Sequence, residues 1–297
     1  MIVDCHSQVW ASGTPTEGSL PQRPPRGQAV SALPAEHAQA ARCVSVTLVA
    51  GLVGAADLDA VNHFVAQHVA KNARSMIGVA VVNPLADDAL DQAQRLLARP
   101  EFKALAISPA TQGFHPCHSR AMKLYELAQA RRAPVLLMHG SPFPRPARME
   151  FARPSLLDEV AIAFPDLTMV LGGLGQPWVD EAVAMIGRHP RVFADVAGLT
   201  GRPWQAYNAL MLAHQFDVMD KLLFGSGFPF ATPAQAIEGL YRLHELTQGG
   251  NLPSVPREML RSVVERDAPA ALGIPWTGAG QPLREDDVIS QDARSQR

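Results

Sequence analysis

The chain lacks the features that would mark it as a small stapled, membrane or nucleic-acid protein. It has three cysteines, Cys5, Cys43 and Cys117, an odd number with no Cys-x-x-Cys pair. That pattern argues against a disulfide framework and a thiolate zinc site, and it leads to an expectation of reduced thiols in the cytoplasm. Aromatic residues are only 6%, and 26 basic residues face 28 acidic ones, so neither a stacking platform nor a basic stripe is on offer to nucleic acid. No run approaches the roughly 18 apolar residues needed to span a bilayer. The opening segment Met1–Trp10 has no basic n-region and no long apolar core, so it does not read as a signal peptide. Asp4–Trp10 also contains no glycine, which removes the phosphate turn that a doubly wound dinucleotide fold places after its first strand.

What remains is a 297-residue chain, 47% apolar, long enough to bury a large core without a metal or disulfide staple. Eight short apolar runs recur along it: Ile2–Cys5, Cys43–Val49, Met76–Val82, Ala104–Ile107, Pro134–Met138, Thr168–Leu171, Val192–Asp195 and Leu222–Phe224. They are apolar almost throughout rather than alternating, as strands covered on both faces are. The stretches between them step at helical period, as in Leu58-Val61-Phe64-Val65-His68-Val69, or over Asp87–Leu97 with Leu90, Ala93, Leu96 and Leu97 on one face. Pro177, Pro203 and Pro233 each suit a first helical turn. Eight strands alternating with helices predict an α/β fold, a (β/α)8 TIM barrel over residues 1–276. Gly13–Pro25 reads as a long loop, and Thr277–Arg297 as a polar, disordered tail.

In such a barrel the chemistry lies at the C-terminal ends of the strands. Those ends read Asp4-Cys5-His6-Ser7-Gln8, Ile107-Ser108, Met138-His139-Gly140, Leu171-Gly172-Gly173-Leu174-Gly175, Asp195-Val196-Ala197 and Phe224-Gly225-Ser226-Gly227-Phe228-Pro229. Together with Pro165–Ala182 and Lys221–Ile237, these stretches resemble the amidohydrolase-related branch of the amidohydrolase superfamily, which includes the aminocarboxymuconate-semialdehyde decarboxylase-like enzymes. The resemblance covers about residues 1–275 and implies a divalent-metal site. Its members carry Asp-x-His-x-His after strand one and a histidine after strand five. They carry a further histidine in the strand-six turn, and Gly-Ser-Asp-x-Pro after strand eight.

The chain departs from that pattern where the chemistry is decided. Asp4, His6 and His139 match, but Gln8 replaces the second histidine of the pair, Gly173 the strand-six histidine and Gly227 the strand-eight aspartate. Two imidazoles and a neutral amide fall short of the three or more His or carboxylate ligands of a catalytic zinc. The expectation is therefore no cofactor, with the family's ligand positions retained only at His6 and His139.

Candidate catalytic groups are His6, His139 and Asp195. The candidate ligand pocket comprises His6, Gln8, Ser108, His139, Gly173, Trp178 and Gly227, enlarged where Gly173 and Gly227 delete side chains. Against each stands a plainer reading: His6 and His139 as hydrogen-bonded pocket residues, Asp195 in structural pairing, Trp178 as packing, His115 and His118 as surface loop residues. Strand alternation points Cys5 away from the pocket and puts Asp4 on the same side as His6.

Three functions follow. The first is a non-catalytic pseudoenzyme that binds a small-molecule ligand or stabilises an active paralogous subunit. The second is a metal-independent hydrolase or lactonase using His6 and His139. The third is a metal-dependent hydrolase or decarboxylase of a small carboxylic substrate, with ligands recruited from elsewhere. A homo-oligomer fits all three; nucleic-acid and membrane partners fit none.

Overall fold

The computed structural model describes residues 1–12, 30–138, 143 and 146–276. The Gly13–Pro25 loop, His139 and the Thr277–Arg297 tail lie outside the described residues. The eight expected strands are present: β1 (Val3–Gln8), β2 (Val46–Ala50), β3 (Met76–Val81), β4 (Phe102–Ile107), β5 (Val135–Leu137), β6 (Met169–Leu171), β7 (Val192–Asp195) and β8 (Leu222–Leu223). They pair in parallel in sequence order. The seam between β8 and β1 is closed by Cys5 N–H donating to Phe224 O at 2.9 Å and Gln8 N–H to Phe228 O at 3.0 Å. The helices are α1 (Pro34–Ala40), α2 (Leu58–Lys71), α3 (Ala89–Leu97), α4 (Pro109–Gln112), α5 (Ser119–Ala130), α6 (Asp158–Ala163), α7 (Val179–Arg188), α8 (Pro203–Gln215), α9 (Pro233–Arg242), α10 (Arg257–Val264) and α11 (Ala268–Leu272). The fold is a (β/α)8 barrel.

Two apolar layers follow from strand alternation. Outward residues such as Val49, Leu105, Leu137, Met169 and Ala194 pack with the helices, where α2 contributes Val65 and Val69 and α5 Leu124. Inward residues, among them Val46, Leu48, Val79, Ala104, Leu136 and Val170, fill the lumen, and α11 joins this cluster through Ala268 and Leu272. Each fully buried aliphatic side chain contributes about 1.5–3 kcal/mol. Asn62 on α2 is a buried polar exception that is fully satisfied: it donates to Val81 O and accepts from Val81 N–H, both at 2.8 Å.

Two local expectations need adjustment. Pro203 and Pro233 open α8 and α9, the latter behind a Thr232 capping box. Pro177 does not open α7; it follows a cis peptide bond, and the helix begins at Val179. Second, β1 does not alternate simply. Asp4 pairs with Thr47 but Ser7 pairs with Val49, so an extra residue is accommodated between them. Val3 and Cys5 therefore both belong to the lumen cluster, Asp4 falls on the opposite face, and beyond the bulge Gln8 pairs with inward-facing Ala50. Cys5 thus points inward and Asp4 does not share the side of His6. Simple period-2 counting fails across a bulge.

The Tyr125 hydroxyl is fully buried with no hydrogen-bond partner among the described residues. Tyr125→Phe is expected to leave the thermal midpoint unchanged or to raise stability by about 1 kcal/mol, because an unsatisfied buried hydroxyl opposes folding. Tyr125→Ala is expected to lose about 3–5 kcal/mol. Urea denaturation of both variants checks the pair.

Candidate active site

The β1 bulge and the glycine-rich turn after β8 build the mouth of the barrel together. Asp4 grips that turn: Ser226 donates from its backbone N–H to Oδ1 at 2.8 Å and from its hydroxyl to Oδ2 at 2.6 Å. The His6 N–H reaches the same Oδ1 at 3.2 Å. Burial pushes the Asp4 carboxyl up to about 6 despite these donors and the nearby His6 charge. At Gly225 the turn passes so close that a Cβ would stand 2.9 Å from the His6 Cβ; no larger residue fits without displacing β1.

On the other side of His6 stands β7. His6 Nδ1 and Asp195 Oδ2 are 2.8 Å apart, both side chains nearly inaccessible to solvent. The second Asp195 oxygen accepts the Gly173 and Ala197 N–H groups, each at 2.9 Å. Burial alone would lower His6 and raise Asp195. The charge and hydrogen bond each offers the other reverse both effects, so His6 titrates above the usual histidine range and Asp195 below the usual carboxylate range. The two shifts favour the charged form of each partner in this buried pair, which is oriented by two backbone donors, with Nδ1 committed and Nε2 the ring's remaining polar atom.

The other predicted pocket residues are more dispersed. Gln8 is buried and donates to Gly51 O at 3.3 Å. The Ser108 hydroxyl is turned to Thr111 at 3.0 Å, while its N–H is held by Gln112. Gly173 lies in a short turn with φ 56°. Trp178 is half-buried, with the Phe143 ring at 6.3 Å and the Arg153 guanidinium at 5.8 Å; Arg153 is itself paired with Glu181. His115 and His118 are exposed, as expected, and each accepts a backbone N–H two residues on, His118 at the start of α5.

The expected enlargement at Gly227 is not what surrounds that residue. Its φ is +72°, and a Cβ there would meet Gly198 N at 3.2 Å and the Ala197 Cβ at 3.6 Å. The backbone of the turn after β7 occupies the space that a deleted side chain was expected to vacate.

The described donors do not fit a divalent metal. Both Asp195 oxygens and both Asp4 oxygens are taken by hydrogen bonds. No group of three His, Cys, Asp or Glu side chains converges among the described residues. No helix among them is long and apolar enough to cross a membrane.

Sequence reasoning named His6 and Asp195 separately but missed their union and the grip of Asp4 on Ser226. The one available signal was Asp4 and Ser226 lying at neighbouring strand ends in a closed barrel.

Removing Asp195 is expected to cost about 3–5 kcal/mol, since it strands a buried imidazolium. His6, raised on folding, contributes stability below about pH 6.5 that is lost as pH rises through its folded value; Asp195, lowered on folding, contributes above about pH 3.9 and loses it as pH falls. The penalty of Asp195→Asn should therefore be largest between those two pH values and shrink in alkali. Urea midpoints of wild type and variant from pH 4 to 9 measure it.

A search of curated proteins found no match. Among solved structures, an uncharacterised TIM-barrel protein from Bordetella bronchiseptica is 20% identical with a TM-score of 0.66, over 94% of this chain and 99% of that one. A probable 2-pyrone-4,6-dicarboxylic acid hydrolase from Acinetobacter baumannii, with citric acid bound, is 12% identical with a TM-score of 0.63, over 92% and 99%. The 5-carboxyvanillate decarboxylase from Sphingomonas paucimobilis is 12% identical with a TM-score of 0.63, also over 92% and 99%. These likenesses establish the fold. The amidohydrolase family model matches residues 3–274, nearly the whole described barrel, and the chain belongs to the amidohydrolase family.

Proposed function

We propose that this chain is a metal-free member of its family that binds a small carboxylate at the barrel mouth without hydrolysing it. The observation that carries the reading is the buried His6–Asp195 pair at 2.8 Å, locked by the Gly173 and Ala197 N–H groups. A histidine held in this way favours its protonated form. It suits hydrogen-bond donation to an oxyanion better than proton abstraction from water. The family's strand-eight carboxylate, which would take that proton, is Gly227 here. By analogy, the fold neighbours named for 2-pyrone-4,6-dicarboxylic acid and 5-carboxyvanillate point to carboxylic acids as the ligand class. Support of an active paralogous subunit is the other form of the same non-catalytic reading.

The oriented dyad also favours one second reading, a metal-independent hydrolase or lactonase in which His6 and His139 move protons. Asp195 fixes the His6 tautomer as an orienting acid does in such sites. A metal-dependent hydrolase finds no support in a donor set whose carboxylates are committed elsewhere.

Calorimetric titration with citrate and with hydroxybenzoates separates these readings. Wild type should bind at least one of them, and His6→Gln should weaken that binding about ten-fold or more. Chelator should leave binding unchanged, and no lactone or hydroxybenzoate should be turned over. Protein purified without chelator should hold well below one zinc, manganese or iron per chain. Turnover that survives chelator but is lost in His6→Gln would promote the hydrolase, and one metal per chain would overturn both metal-free readings.

A further inference from the structure

Behind the site, on the outward face of β1, lies a chain of buried polar groups that the reading above does not use. The Ser7 hydroxyl donates to Leu48 O at 2.9 Å. Its proton thus spent, it accepts from His37 Nε2 at 3.0 Å. His37 Nδ1 is then an acceptor, and His68 Nε2 donates to it at 2.9 Å. Every hydrogen in the chain is assigned in one direction by the Leu48 carbonyl, which can only accept. The His37 ring also meets the edge of Phe228, in the turn after β8, at a centroid distance of 5.1 Å.

His37 belongs to α1, a helix of seven residues with a single fully buried side chain, His37 itself. Other helices of the ring dock through apolar stripes, as α2 does through Val65, Ala66 and Val69. Here a buried imidazole stands beside the partly buried Ala38 and Ala40, and in the hydrogen-bond chain above it is the neutral ring. We propose that α1 is an acid-releasable clasp on the back of β1, seated by neutral His37 between Ser7 and His68 and freed when those imidazoles take up protons.

Among the described residues no carboxylate bonds or pairs with either ring. The groups facing His37 are His68, the Ser7 hydroxyl and the Phe228 ring, and the charge that reaches His68 is Lys71, on its own helix. None of these groups carries a negative charge to stabilise a cation. Burial, with His68 beside it, depresses His37 to about 3; burial and Lys71 depress His68 to about 4. Released to solvent, both return to about 6.5. The sign follows: a histidine lowered in the seated state resists protonation there, so acid favours release, beginning near pH 6.5. From pH 7 to pH 5 the released fraction should rise on the order of 20-fold through His37 alone. The clasp backs the strand that carries His6 and Gln8, and it holds whether or not that site binds carboxylates.

Global stability cannot report it cleanly, because Asp4 and His6 are both raised on folding and gain protons in the same interval with opposite sign. Native-state hydrogen exchange localises the effect. After correction for intrinsic rates, α1 amides should open at least ten-fold more at pH 5 than at pH 7, with β4 and β5 amides changing far less. The double variant His37→Gln/His68→Gln should abolish most of that difference. Equal pH responses in wild type and variant would overturn the clasp. Should the variant fail to fold, the wild-type imidazole proton signals decide: two histidines still neutral at pH 5 support it, and His37 titrating near 6.5 in the folded protein refutes it.

Discussion

The mouth of this barrel depends on one buried carboxylate. Asp4 accepts three hydrogen bonds, two from Ser226 across the seam between the first and last strands and one from the His6 backbone on its own strand. A closed barrel must bring β1 and β8 together, and at this seam regular pairing gives way to a bulge on one side and a glycine turn on the other. Without Asp4, the Ser226 N–H and hydroxyl would be buried donors lacking their acceptor. With it, the turn is drawn toward β1 closely enough for Gly225 to touch His6. The geometry of His6, and through it of Asp195, is downstream of that grip.

Two carboxylates near one imidazole divide the work by environment. Both carboxylates are fully buried and each accepts two backbone N–H groups; Asp195 also bonds the His6 ring and is held low, whereas Asp4, without that direct bond, is pushed up to about 6 by burial. In this chain Asp195 is spent on the His6 ring and two backbone N–H groups, and Asp4 on Ser226 and the His6 backbone.

The barrel itself was legible from sequence because parallel strands buried on both faces write short, nearly continuous apolar runs, and all eight runs became strands. Even Leu222–Phe224, which yields a strand of only two residues, was marked by its apolar content. The side-chain directions at the site were less legible. A bulge carries no compositional signature, so Cys5 and Asp4 were assigned to the wrong faces of β1. Gly227 read as a vacancy because sequence shows which side chain is absent but not which backbone moves in. The His37–Ser7 contact, across 30 residues, left no local pattern at all.

The inward turn of Cys5 changes what its thiol can do. Buried among aliphatic side chains and facing the fields of Asp4 and Asp195, it is held well above the ordinary thiol range. Thiolate is the nucleophile that attacks oxidants and disulfides, so burial and the raised thiol of Cys5 both work against its reaction in the folded state. Exposed Cys43 is the first thiol an oxidant meets. A cysteine count read for cellular compartment therefore counts at least one sulfur that the closed barrel shields from solvent.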